Sequence, residues 1–389
     1  MTDSHSEQQP SIYPFVLDIP QPELDDLRRR LAATRWPERE PVHDWSQGAP
    51  LDRVRSLCDY WANEYDWRRC EAELNGWGQF QTKIDGLNIH FLHVRSPVDG
   101  ALPMIMTHGW PGSIIEFNKV IGPLTDPERF GGKASDAFHL IMPSLPGFGF
   151  SEKPSEPGWN LKRVAQAWII LAKRLGYEKF VAQGGDWGAM VTHELAIINP
   201  PECVAVHTNL SLAMPAQEPS NMTPEEVKSI ADQRQWDKWE SGYAAIQSTR
   251  PQTIGYGLVD SPALQAAWIY EKMHALMDGD GVPEHSVSYD EILDNVMLYW
   301  LPACGASSAR IYWESYGNVF GDFRERKITM PFGVTIFPGE IMRPSRRWAE
   351  EVYSNIIHWN NAERGGHFAA FEQPEIFVNE LRDCFAKVR

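Results

Sequence analysis

Gly184-Gly185-Asp186-Trp187-Gly188 (GGDWG) stands between a β-prone run at 179–183 (KFVAQ) and a helical stretch from Ala189 onward to Ile198. This is the spacing of a sharp strand-to-helix elbow, G-x-nucleophile-x-G, which thrusts its central side chain into a pocket. The flanking glycines answer a steric need. The elbow holds its central residue in strained backbone geometry, and only very small neighbours let strand and helix approach closely. Asp186 fills the position where serine is the commoner occupant. A plainer reading makes Asp186 the N-cap of the helix behind it, and the sequence on either side decides between the two.

Upstream of the elbow, short apolar runs alternate with helical ones. Runs at 87–94 (LNIHFLHV) and 103–107 (PMIMT) precede a helix around 114–121, and 139–144 (HLIMPS) precedes a helix at 161–175 that stops at Gly176. With a further strand at 204–210, this alternation predicts an α/β architecture with a mostly parallel central sheet. Residues 211–326 break the alternation: they are helical and aromatic, with capping boxes at Thr223-Pro-Glu-Glu226 and Ser288-Tyr-Asp-Glu291. They read as an inserted cap. The β pattern resumes at 332–337 (FGVTIF) and near 356–360, and a helix over 374–385 closes the chain. At the other end, Leu24, Leu27 and Leu31 form a helical stripe before a Pro- and Trp-rich passage at 36–50, so the first 85 residues read as a helical meander. The expected division is 1–85 meander, 86–210 core, 211–326 cap and 327–389 core again. Asp278-Gly-Asp-Gly281 lacks the remaining ligand positions of a calcium loop and reads as a turn.

The chain has 389 residues, 43% hydrophobic and 23% charged, which is ordinary globular usage. A net charge of −16 repels phosphate backbones, so nucleic acid is excluded as a partner. Sixteen tryptophans suit the lining of an apolar pocket for a small hydrophobic ligand. The N-terminal MTDSHSEQQP has no basic patch or apolar core of a signal peptide. The longest uncharged apolar runs, such as 164–172, fall far short of the ~20 residues a spanning helix needs. Five scattered cysteines without CxxC spacing read as reduced packing thiols. A cytoplasmic setting is the expectation.

An aspartate nucleophile constrains the chemistry. Its carboxylate is ionised at neutral pH and needs no base to attack, which suits displacement at a saturated carbon. The resulting ester must then be hydrolysed, which requires a base and an oxyanion hole. His367, in Gly365-Gly366-His367-Phe368 after the last strand, is placed where the chain order nucleophile, acid, histidine requires the base. Glu340, in Phe-Pro-Gly-Glu after the strand at 332–337, is placed to orient its imidazole. His90 and His93 sit three apart on one strand and point to opposite faces, a poor metal pair; His193 and His274 read as ordinary helix residues. The oxyanion hole is expected from the backbone N–H groups of Trp187 and of Trp110 in His108-Gly-Trp-Pro-Gly112.

Taken together, the chain resembles the α/β-hydrolase fold and, more closely, the microsomal-type epoxide hydrolases and their soluble microbial relatives. The resemblance runs from Tyr13-Pro-Phe and Thr34-Arg-Trp-Pro37 through His108-Gly-Trp-Pro-Gly-Ser113, Pro143-Ser-Leu-Pro-Gly-Phe-Gly-Phe-Ser151 and the elbow. It continues through Ser241-Gly-Tyr-Ala-Ala-Ile-Gln247, Asn295-Val-Met-Leu-Tyr-Trp300 and Gly365-Gly-His-Phe-Ala-Ala-Phe-Glu372. It implies that Asp186 opens an epoxide to give an alkyl ester, that His367 with Glu340 hydrolyses it, and that no metal or organic cofactor takes part. It also implies that two cap tyrosines, Tyr243 and Tyr312, protonate the epoxide oxygen, and that the Trp110-Pro111 peptide is cis. A phenol is still protonated at neutral pH and can hand its proton to a strongly basic alkoxide. Mammalian microsomal members carry a hydrophobic N-terminal anchor that this sequence lacks, so membrane association is not carried over. The expected partners are a small hydrophobic epoxide and water, and a homodimer is left open. Two alternatives stay open as well: a hydrolytic dehalogenase using the same aspartate, and a catalytically silent ligand-binding member of the fold.

Overall fold

A computed structural model of the chain describes residues 11–215, 217–278, 282–322 and 327–389, without the side chains of 318–322. The N-terminal MTDSHSEQQP lies outside the described residues, and of the turn at 278–281 only Asp278 lies within them. The strands are β1 (Ile12–Phe15), β2 (Gln79–Ile84), β3 (Leu87–Val94), β4 (Leu102–Thr107), β5 (Phe138–Pro143), β6 (Phe180–Gly184), β7 (Cys203–Thr208), β8 (Phe332–Ile336) and β9 (Ile356–Asn361). They form one sheet in the order β1-β2-β3-β5-β4-β6-β7-β8-β9. From β5 through β9 every neighbour is parallel, and β1, β2 and β3 are added antiparallel at one edge. This is the mostly parallel α/β sheet that the alternation of runs predicts, and it agrees with the α/β-hydrolase fold that the resemblance implies. Strands β5, β6 and β8 are buried along their whole length because helices cover both faces.

The first 85 residues differ from the expected meander in one respect: they contribute β1 and β2 to the sheet. The helix Gln21–Ala32 buries Leu24, Leu27 and Leu31, as the stripe predicts, each burial contributing about 1.5–3 kcal/mol. This segment also clamps the cap. Tyr65 Oη donates to Asp294 at 2.7 Å, and Arg69 Nη2 donates to the same buried carboxylate at 2.6 Å. Asp294 lies in the cap helix Tyr289–Trp300.

Between β7 and β8 the described residues are helical, and both capping boxes form, with Thr223 and Ser288 each accepting from the backbone N–H three residues on. Such a cap contributes about 1 kcal/mol. The helix expected around 114–121 divides into a short turn, Ile114–Phe117, and a helix, Asn118–Thr125. Ser113 caps that turn, accepting from the Ile115 N–H at 3.2 Å. All five cysteines are free and buried. Among the described residues, no helix is long and apolar enough to cross a membrane.

Candidate active site

Trp110 follows β4, Asp186 follows β6, Glu340 follows β8 and His367 follows β9, so one edge of the sheet gathers residues 257 positions apart in sequence. Asp186 opens the helix Asp186–Ile198, three residues earlier than the sequence pattern suggests, because the elbow is itself the first helical turn. The N-cap is Gly185 and no side chain caps this helix, so Asp186 does not serve as a cap. Its φ of +50° is a conformation that a non-glycine residue adopts only when its surroundings impose it. The imposition is visible in the flanking glycines. A Cβ on Gly184 would lie 2.1 Å from the Gly188 carbonyl oxygen, and one on Gly188 would lie 1.8 Å from that of Thr107.

The Asp186 carboxylate is held from two sides. The Trp110 N–H donates to Oδ1 at 2.8 Å, from a turn whose Trp110-Pro111 peptide is cis. Trp187, the other expected donor, is the next residue and sits at the head of the same helix. On the far side, His367 Nε2 lies 3.2 Å from Oδ2, and its Nδ1 lies 2.7 Å from Glu340 Oε1. Glu340 Oε1 also accepts the Ile341 N–H at 2.7 Å, which fixes the carboxylate. Burial disfavours the imidazolium, but Glu340 and Asp186 outweigh it and hold the His367 pKa well above the ordinary histidine range.

The cap supplies the roof. Tyr243, on the helix Gly242–Thr249, stacks on Trp110 with centroids 4.9 Å apart. Tyr312, on the helix Gly305–Asp322, packs edge-on against Trp187 at 4.7 Å. The two phenol rings are 5.8 Å apart. Burial, then for Tyr243 the charge of Asp186, pushes both phenols above their usual pKa, so each stays protonated at neutral pH. A cavity of about 80 Å³ opens between Asp186 and these rings, lined on its other walls by Met190, Leu210, Trp236 and Ile341. A larger groove of about 600 Å³, lined by Trp159, Arg310 and Trp313, includes none of the predicted site residues.

A family model described as "Epoxide hydrolase N terminus" matches residues 12–117, and one described as "alpha/beta hydrolase fold" matches 103–245. Over 97% of its length the chain is 55% identical to a protein of Stigmatella aurantiaca that carries an epoxide hydrolase name, covering 86% of that protein. The chain belongs to the epoxide hydrolase family. "Epoxide hydrolase 1" of Sus scrofa is 35% identical, with 96% of this chain and 88% of that protein aligned. The crystal structure of juvenile hormone epoxide hydrolase from Bombyx mori superposes with a TM-score of 0.89 at 30% identity, covering 98% of this chain and 96% of that one. That of Aspergillus niger epoxide hydrolase gives 0.86 at 31% identity, covering 97% of each.

In this epoxide hydrolase family member, further residues support the site that the sequence reading did not single out. Asn295 Nδ2 donates to the Pro111 carbonyl at 2.8 Å while its Oδ1 accepts from Ser113 Oγ at 2.7 Å. Tyr299 Oη donates to the Gly112 carbonyl at 2.6 Å. One cap helix therefore grips the turn that carries Trp110. Glu116 turns its carboxylate back onto Gly112, where an added Cβ would lie 1.9 Å from Oε1. That oxygen is buried without a partner, and burial pushes the Glu116 pKa up to about 8. Glu372 accepts the Phe368 N–H at 2.9 Å next to His367, and burial pushes it to about 7. The dismissed histidines serve packing: His90 lies 3.0 Å from both Ser144 Oγ and Gln79 Oε1, His93 lies 2.8 Å from Tyr177 Oη, His193 lies 2.7 Å from Tyr353 Oη, and His274 stacks on Trp45. Among the described residues, no cluster of three or more His, Cys, Asp or Glu side chains could hold a metal ion.

Proposed function

We propose that the protein hydrolyses small hydrophobic epoxides to vicinal diols through a covalent ester on Asp186. The observation that carries this reading is one carboxylate bridged between the Trp110 N–H and His367, beneath the buried Tyr312 and the half-buried Tyr243. In the first step Asp186 Oδ2 attacks a ring carbon, the C–O bond breaks, and the oxygen takes a proton from Tyr243 or Tyr312. Oδ1 stays on the Trp110 N–H and becomes the ester carbonyl oxygen.

The ester changes the base. His367 owes part of its raised pKa to the Asp186 charge, and esterification removes that charge. The imidazole pKa therefore falls at the stage where it must accept a proton from water. Hydroxide delivered to Asp186 Cγ makes a tetrahedral oxyanion on Oδ1, stabilised by the Trp110 N–H and, by its place after the nucleophile, the Trp187 N–H. Collapse breaks the Cγ–Oδ2 bond and expels Oδ2 as the diol's second oxygen, which takes the proton from His367; the water's other proton, left on the regenerated Asp186 carboxyl, is released and restores the tyrosine. The net reaction is epoxide plus water to diol.

Purified protein incubated with styrene oxide and, separately, with a chloroalkane tests the reading. Diol formation without chloride release is expected. Chloride without diol would establish the dehalogenase alternative, and no turnover across a broad panel would leave a binding protein.

A further inference from the structure

A buried lysine in the cap has no place in the scheme above. Lys272 lies on the helix Pro262–Leu276 with its side chain 3% exposed. A buried ammonium is costly unless every donor finds a partner, and Lys272 finds its partners at one corner. Its Nζ donates to the Glu240 carbonyl at 2.9 Å and to Glu240 Oε2 at 3.2 Å, and lies 3.0 Å from Glu271 Oε1. The same nitrogen lies 5.3 Å from the Trp236 ring centroid and 5.1 Å from that of Tyr243. Glu240 caps the C-terminus of the helix Pro224–Trp239, and the helix bearing Tyr243 begins at Gly242. One ammonium thus ties the end of one cap helix to the start of the next and touches the phenol ring that the second helix carries.

We propose that Lys272 is a positioning residue for ring opening: it pins the corner from Glu240 to Tyr243 and so sets the Tyr243 phenol over Asp186 against Trp110. The proposal rests on the reading of Tyr243 as a proton donor. Two carboxylates, Glu240 and Glu271, stand at the same nitrogen and offset its charge toward the phenol, so the effect is one of placement. Misplacing a reacting group by about 1 Å can cost on the order of 100-fold.

A double-mutant cycle reads this directly. Single-turnover kinetics with styrene oxide would separate ring opening from ester hydrolysis in wild type, K272M, Y243F and K272M/Y243F. Ring opening should slow roughly 10- to 100-fold in K272M, ester hydrolysis should stay within about 3-fold, and K272M should add less than about 3-fold in the Y243F background. A residue that merely supports the fold would slow both steps and act additively. Wild-type ring opening in K272M, or the same loss with and without Tyr243, overturns the proposal. Wild-type ring opening in Y243F instead removes Tyr243 as a proton donor, and this proposal with it. Should K272M fail to fold because Glu271 is left unpaired, E271Q/K272M removes the stranded charge and the cycle is read on that background.

Discussion

The two halves of the candidate site are built on different principles. The core half, Asp186, His367, Glu340 and the Trp110 turn, is joined by contacts of 2.7–3.2 Å and locked by glycines into which no side chain fits. The cap half, Tyr243 and Tyr312, meets the core through aromatic faces at 4.7–5.9 Å. Ion pairs and short hydrogen bonds fix a charge where it must be stabilised, whereas ring contacts are broad in distance and angle. In the proposed mechanism the core half handles the ester, and the cap half supplies one proton to a leaving oxygen. That division predicts which step each substitution damages.

The largest effect belongs to the proposed nucleophile. Asp186→Ala should lower turnover roughly 10⁴- to 10⁶-fold, with a modest loss of thermal stability because the Trp110 N–H loses its acceptor and His367 loses a favourable charge. Residual diol formation near wild-type level would show that another group attacks. Next come the two halves tested against each other. His367→Gln should leave ring opening largely intact and let the ester accumulate, visible as an added mass of one substrate on the intact protein. Tyr243→Phe/Tyr312→Phe should do the reverse, slowing ring opening about 10²- to 10⁴-fold with no ester detected. If both variants stalled at the same step, the division between core and cap would be wrong.

A smaller effect is expected where the halves join. Asn295→Ala removes the donor to the Pro111 carbonyl and leaves Ser113 Oγ without its acceptor. Stability should fall by about 1–3 kcal/mol, and ester hydrolysis should suffer more than ring opening, because the loosened turn carries the Trp110 N–H. A thermal shift without a change in the ratio of the two steps would limit Asn295 to holding the cap.

The core half was far more legible in the sequence than its supports. The elbow, His367 and Glu340 could be placed because strand–loop junctions gather at one edge of a parallel sheet, and each junction has a local pattern. Strand β2 (QFQTKI) escaped notice because it is polar and only half buried in the antiparallel part of the sheet, although Asp85-Gly86 between it and β3 is a hairpin signal. Glu116, Lys272 and the part played by Asn295 escaped for another reason. A charged or amide residue on an amphipathic helix reads as solvated, and only tertiary packing turns it inward. Lys272 bonds Glu240 from 32 positions away and Asn295 bonds Pro111 from 184, while Glu116 lies against a backbone turn that folds back on it.

The smallest predicted effect again separates the halves, this time by pH. Glu116 has its pKa raised by burial from the ordinary 4.5 to about 8, so between those values the folded protein binds a proton that the unfolded chain has released. Its contribution to stability is therefore complete below about pH 4.5 and is lost as pH rises through about 8. Glu372, raised to about 7, acts in the same direction over a narrower window, and His367 adds a like dependence above the ordinary histidine range. The cap phenols, raised above 10, contribute nothing to this window. Glu116→Gln keeps the neutral shape at every pH. Its melting temperature should match wild type near pH 5 and exceed it by a few °C at pH 8.5, with the gap opening between. Tyr312→Phe should run parallel to wild type across the same range. A Glu116→Gln curve parallel to wild type would mean that the carboxylate behind the Trp110 turn stays ionised in the folded protein, with its charge balanced by His367.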